Sequence, residues 1–336
     1  MKEIKLSEKA YFKLGWIPTG IGAVMDGWEF TEDEFLNSGL LNIEFRAFTH
    51  NCPLDCQYCF TNKTPNNLTG DEIKGILTQL KAQGARTINF VGEGEPSIDD
   101  GFMDVMSFCH EIGLKAVAFL GGSKKLMDRD FIRQLKKYNV TVVLKCDSLF
   151  NEEYQNKITN SKNGYFKMRN RILELLMEEG LNEPDSEGTT NLALNMIVTQ
   201  FNKHEVLDTV KFGRENNIFV MACEFLPTGR SGNEGFDKNM MVSRDEMQKI
   251  RREIQEMDQS NYGFVHESFT SYTSVPCTIY GGIHIYGNGD VGRCAGDAAV
   301  LGNLRHESVA EIWNRIKLDK SGFHGHCPFR DRAYKS

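Results

Sequence analysis

Three cysteines fall within one short stretch, Cys52-Pro-Leu-Asp-Cys56-Gln-Tyr-Cys59. The spacing is C-x3-C-x2-C, with Tyr58 just before the last thiol. Three thiolates on one loop can hold three corners of a [4Fe–4S] cube. The fourth iron then lacks a protein ligand and is open to a small molecule carrying an amine and a carboxylate. A zinc knob or a chance cluster is the competing reading. Structural zinc usually takes four nitrogen or sulfur ligands, and this loop offers three.

A second constellation lies near the carboxyl end. Cys277, Cys294 and Cys327 are widely spaced, and His324 stands three residues before the last of them. Imidazole replaces thiolate in some iron–sulfur centres; His324 becomes a candidate fourth ligand only through the resemblance to relatives that carry C-x2-C in this place. His326 adjoins Cys327 and is the poorer one. A substrate or water on an open iron, zinc, or no metal at all remain alternatives for this set. The chain has nine cysteines, an odd number that does not make a complete disulfide framework. Cys109 falls mid-helix in the predicted pattern and reads as packing.

The elements that must position these residues alternate. Strands are predicted at Leu41–Phe48, Thr87–Val91, Leu114–Leu120, Val140–Leu144, Asn191–Val198 and Ile218–Cys223. Helices are predicted between them, the first opened by the capping box Thr69-Gly-Asp-Glu72. Such apolar, β-branched runs separated by helices indicate buried parallel strands. Six units make an α/β fold of the (β/α)6 partial-barrel kind, a relative of the eight-unit barrel. The first cysteine loop then sits at the carboxyl end of the first strand. Beyond a loop-like run at 227–239, a helix is expected from Ser243-Arg-Asp-Glu246 to Met257. A hairpin follows at 282–294, turning at Asn288-Gly289. The expected organisation is an amino-terminal segment 1–40, a barrel 41–235, and a helical linker with a small domain 236–336.

Composition restricts the setting. The 336 residues carry a formal charge of −7, and 40% are hydrophobic. That balance argues against a broad nucleic-acid surface, which needs clustered Lys and Arg. Neither a signal peptide nor a membrane span is visible, so a cytoplasmic location is expected.

The cysteine loop after the first strand resembles the signature of the radical S-adenosylmethionine (SAM) superfamily. That resemblance implies SAM on the open iron. It also implies electron transfer from the cluster, formation of a 5′-deoxyadenosyl radical, and hydrogen abstraction from a substrate. Gly92-Glu-Gly94-Glu95-Pro96 resembles the family's Gly-Gly-Glu-Pro stretch, with Glu93 in place of one glycine. By the same resemblance Tyr58, Gly92, Gly94, Glu95, Lys145, Asn195 and Arg230 are the expected SAM contacts. Lys145 stands where many relatives have serine, and a solvated strand-end lysine is the bland alternative. Cys146 and Cys223 are weaker candidates for returning a hydrogen atom to substrate.

The hairpin with Cys277 and Cys294, together with Leu301-Gly-Asn-Leu and Val309-Ala-Glu-Ile-Trp313, resembles a SPASM or twitch domain. Three cysteines suit a one-cluster, twitch-like form, with Cys277, Cys294, Cys327 and His324 around an auxiliary cluster. The resemblance takes in peptide-modifying enzymes, sulfatase-maturing enzymes and molybdenum-cofactor biosynthesis protein A. The ending Ala-Tyr-Lys-Ser departs from the Gly-Gly tail of the last. The first forty residues do not read as a winged-helix peptide-recognition domain. The expected substrate is a peptide or protein side chain, with a small metabolite next. Flavodoxin or ferredoxin is the expected electron donor. A non-enzymatic iron–sulfur protein is the alternative of another class.

Overall fold

The computed structural model describes residues 40, 42–63, 68–161, 164–185, 190–225, 228–229, 238–262, 282–294, 296–297 and 299–317. Six strands run in chain order: β1 (Asn42–Phe45), β2 (Thr87–Phe90), β3 (Lys115–Leu120), β4 (Thr141–Lys145), β5 (Leu192–Val198) and β6 (Phe219–Glu224). Each pairs in parallel with its successor. The intervening helices are α1 (Gly70–Ala82), α2 (Phe102–Glu111), α3 (Arg129–Lys137), α4 (Glu152–Ile158), α5 (Tyr165–Glu178) and α6 (Val206–Glu215). This is the six-unit partial barrel that the apolar runs indicate.

Strand parity sorts the side chains. Successive residues of a strand point to opposite faces. Ile43 and Phe45, Ile88 and Phe90, Leu192 and Leu194 belong to the core packed under the helices. Their neighbours Glu44, Lys145, Asn195 and Cys223 line a cavity on the other face. Local signals start the helices. At α1, Thr69 Oγ1 accepts from the Glu72 amide, and the Glu72 carboxylate accepts from the Thr69 amide. The four-residue apolar stripe Ile73, Ile76, Leu77 and Leu80 then faces the core.

Three features depart from the sequence pattern. The seven-residue helix α4 was not anticipated; it is capped by Asn151, whose Oδ1 accepts from the Tyr154 amide at 2.9 Å. It is too short to show a clear apolar period. Helix α7 (Arg244–Tyr262) runs past the expected end at Met257. The reason is Asp258, buried in a two-pronged ion pair with Arg214 of α6 at 2.8 and 2.9 Å. Finally, the hairpin β7 (Gly282–Ile285) and β8 (Asp290–Gly292) is not apart from the barrel sheet. β7 pairs in parallel with β1, Glu44 opposite His284, and β8 continues to β9 (Gly302–Asn303). The order is β6-β5-β4-β3-β2-β1-β7-β8-β9. Helix α8 (Val309–Ile316) closes the segment with a second capping box, Ser308 with Glu311.

Removing one partner of a buried pair leaves the other charge stranded, at about 3–5 kcal/mol. Asp258→Ala is expected to lower the unfolding free energy, read from urea titration, by that order. Joint replacement of Arg214 and Asp258 by leucine should recover much of the loss.

Candidate functional site

The cavity of ≈ 340 Å³ lies at the carboxyl ends of the strands. Cys52, Cys56 and Cys59 line it, on the loop that leaves β1. That loop is tied down on two sides. The Asp55 and Gln57 amides donate to the carbonyls of Thr159 and Ile158, at 3.1 and 3.0 Å, so the carboxyl end of α4 holds it. On the other side, the Glu95 amide donates to the Asn51 carbonyl at 2.8 Å. Within the loop, the Cys59 amide closes a turn onto the Cys56 carbonyl at 3.1 Å.

Gly94 is required by that second tie. A Cβ there would stand 2.2 Å from the Asn51 carbonyl oxygen. The sequence suggests glycine for close approach of a ligand; the structure shows glycine for close approach of the cysteine loop itself. Glu95 is fully engaged as well. Its carboxylate accepts from Ser97 at the next turn and from the Gly121 amide. Burial raises its pKa, and the bonds from Ser97 and Gly121 oppose that rise.

Glu93, the residue that departs from the family glycine, has a partner that the sequence did not reveal. It forms a buried ion pair with Arg46, one residue past β1. The Arg46 guanidinium is flanked by the rings of Phe60 at 5.1 Å and Tyr286 at 4.8 Å. Thr61 joins the same group, its hydroxyl donating to the Glu93 carbonyl at 3.1 Å and lying 3.3 Å from Cys59 Sγ.

On β4, Lys145 pairs with Asp147 at 2.6 Å and lies 4.1 Å from the centre of the Tyr58 ring. Burial works against its charge, but Asp147 and the Cys56 thiolate outweigh that and raise its pKa. Tyr58 donates its hydroxyl to the other Asp147 oxygen. Burial raises the Cys52 pKa and pushes Cys56 up to about 12, against the pull of Lys145. Cys52 and Cys59 each raise Cys56 further, so the three thiols sense one another's charge.

Gly92, Gly94, Glu95, Lys145, Asn195, Tyr58, Cys223 and Cys294 all line the cavity. Cys223 donates to Asn195 Oδ1 at 3.5 Å. Cys146 does not line it: parity turns its thiol to the helix side, against the Arg169 guanidinium. Arg230, Cys277, His324 and Cys327 lie outside the described residues.

The donor set fits an iron–sulfur cube. The three thiols line one cavity, and Cys52 and Cys59 are close enough to raise the Cys56 pKa by their charge. A cube meets each thiolate at a different iron, so its ligands stand further apart than those of a single ion. The cavity beside the thiols is also of the size that takes a small cofactor.

Residues 47–213 match the family model of the radical SAM superfamily, and residues 277–335 match an iron–sulfur cluster-binding domain, SPASM. The chain belongs to the radical SAM superfamily. It is therefore an enzyme whose cofactors are a [4Fe–4S] cluster, SAM and auxiliary iron–sulfur. The chain is similar to a PqqA peptide cyclase of Bradyrhizobium diazoefficiens, 33% identical over 70 residues, 20% of this chain and 18% of that one. It is also similar to a GTP 3′,8-cyclase of Limosilactobacillus fermentum, 24% identical over 196 residues, 56% of this chain and 55% of that one. The match thus spans less than two thirds of the curated relatives' length.

Among solved structures, Streptococcus suis SuiB bound to its precursor peptide SuiA superposes with a TM-score of 0.66 at 17% identity. The match covers 85% of this radical SAM chain and 67% of that one. Native anSMEcpe with bound AdoMet and the Cp18Cys peptide gives 0.61 at 15% identity, covering 87% and 94%. Identities this low establish a shared fold.

Gly94→Ala forces the Asn51 backbone to move, at about 1–3 kcal/mol for an overpacked site. The reconstituted variant is expected to hold less iron per chain than the parent, with a lower denaturation midpoint. Unchanged iron and midpoint would show that the close approach is not needed.

Proposed function

We propose that this radical SAM enzyme takes a hydrogen atom from a side chain of a peptide or protein. The observation that carries the reading is the cavity itself. Its lining includes the Cys52–Cys59 loop, the barrel strands, β7 and Cys294. A substrate held there lies between the barrel mouth and the carboxyl-terminal segment. The bound peptides of SuiB and anSMEcpe, and the name of the PqqA peptide cyclase, favour a peptide.

In this reading Cys52, Cys56 and Cys59 hold the first cluster. Gly92, Gly94, Glu95, Tyr58, Lys145, Asn195 and Arg230 surround SAM. The cluster and SAM together supply a 5′-deoxyadenosyl radical, the agent of hydrogen abstraction. Lys145 is a buried cation already offset by Asp147. It adds little net charge at the site while fixing Tyr58 and Asp147 in place. Cys223, which lines the cavity, is assigned as the thiol that would hand a hydrogen atom to the substrate radical, its own thiyl radical then being restored by one electron from the flavodoxin or ferredoxin and one proton from solvent. Cys277, Cys294, Cys327 and His324 are assigned to the auxiliary cluster. A flavodoxin or ferredoxin supplies the electron, and the setting is the cytosol. Among the described residues, no helix is long and apolar enough to cross a membrane.

A second reading, a small metabolite as substrate, is favoured by the similarity to GTP 3′,8-cyclase. Perdeuterated cell extract separates the two. The anaerobically reconstituted enzyme, with SAM and dithionite, is given either the peptide and protein fraction or the small-metabolite fraction. Mass-shifted 5′-deoxyadenosine from the first fraction supports the proposal, and label from the second fraction alone rejects it. Cys56→Ala is expected to bring 5′-deoxyadenosine release down to background. Release at the parent rate would remove Cys56 from the ligand set.

A further inference from the structure

His284 has no role in the reading above, yet it faces the cavity from β7. Its side chain is 1% exposed. Nδ1 lies 2.8 Å from Glu44 Oε2, across the β1–β7 pairing. An ionised carboxylate only accepts, so Nδ1 carries the hydrogen and Nε2 is left as a bare acceptor. Among the described residues Nε2 has no hydrogen-bond partner. The Glu44 bond sets the ring's orientation, and the ring also packs against Tyr286 at 4.7 Å between centroids. The charged groups around it are Glu44, Arg46 and Glu93. Burial and Arg46 lower its pKa against the pull of the two carboxylates, so the imidazole is neutral at pH 7.

A buried acceptor without a partner is costly, and an apolar side chain would avoid that cost. The flanking strand positions, Ile283 and Ile285, are apolar. The orphan atom therefore indicates a group that arrives from the cavity. Of the assigned SAM contacts, Lys145 and Asn195 stand away on β4 and β5, and Gly92, Gly94 and Glu95 follow β2, next to β1. A lost SAM contact lowers all 5′-deoxyadenosine together, so the ratio below separates it from a lost substrate contact.

We propose that His284 is a substrate-binding residue, its Nε2 accepting a hydrogen bond from an amide N–H or a hydroxyl of the substrate. This rests on the reading that the cavity is the substrate site. Glu44 is the positioning residue, since it selects the tautomer.

The same perdeuterated fractions supply the probe, and the readout is the ratio of mass-shifted to unshifted 5′-deoxyadenosine. A variant that merely folds poorly or loads less iron lowers both species together and leaves the ratio alone. His284→Phe keeps an aromatic ring and removes the acceptor. Its ratio is expected to fall about tenfold or more, the scale of one lost hydrogen bond that strands a buried donor. His284→Gln, which presents a carbonyl oxygen, should restore part of it. A ratio within twofold of the parent in His284→Phe would overturn the proposal and leave Nε2 to water. Nitrogen coupling to the reduced auxiliary cluster in pulsed EPR, lost in the same variant, would also overturn it by making His284 a metal ligand. If the parent draws label only from the small-metabolite fraction, the peptide reading fails, and the same ratio on that fraction decides the role of His284.

Discussion

The contact between two loops, at Asn51 and at Gly94–Glu95, governs the rest of the site. One backbone hydrogen bond of 2.8 Å joins them, and only a glycine fits beneath it. The loop from β1 carries the three thiols. The loop from β2 carries Glu93, which reaches back to Arg46, and Glu95, which holds the turn and Gly121 of the next strand. The ends of three neighbouring strands are thereby fastened to one another before any cofactor arrives. Preorganisation of this kind keeps ligands in place without a large ordering cost on binding.

Burial and charge are balanced around that contact. Two buried cations of the mouth have opposite partners, Arg46 with Glu93 and Lys145 with Asp147, while the Glu95 carboxylate is met by the neutral donors of Ser97 and Gly121. Unpaired, such groups would be prohibitively costly in a low-dielectric interior. Paired, they leave Cys52 and Cys56 in a region where burial holds their protons on. Metal binding must then release those protons, so cluster assembly is coupled to deprotonation.

Much of this was legible in the sequence. The strand–helix alternation and the cysteine loop are local patterns, and local patterns survive folding. Long-range partners are not written that way. Arg46 and Glu93 are 47 residues apart, and Glu44 and His284 are 240 apart. A charged residue inside an apolar strand was the available hint for Glu44, and the displaced family glycine for Glu93. Cys146 and Lys145 show how parity decides. They are adjacent in sequence, but β4 sends one to the cavity and the other to the helix layer. The helix α4, which anchors the cysteine loop, was hidden because seven residues hold too few turns to display a period.

The parallel pairing of β7 with β1 also limits how such a chain can vary. In a pleated strand, sliding by an odd number of residues exchanges the two faces. An odd slip of β7 would place Ile283 or Ile285 opposite Glu44 and remove the imidazole from the cavity. An even slip would keep the faces but move the histidine by a whole repeat. Insertions and deletions upstream of Gly282 are therefore counted in units of two, or absorbed wholly in the connection. The strand that joins the carboxyl-terminal segment to the barrel thus works as a ratchet with two-residue teeth, tying drift in that segment to the chemistry of the cavity wall.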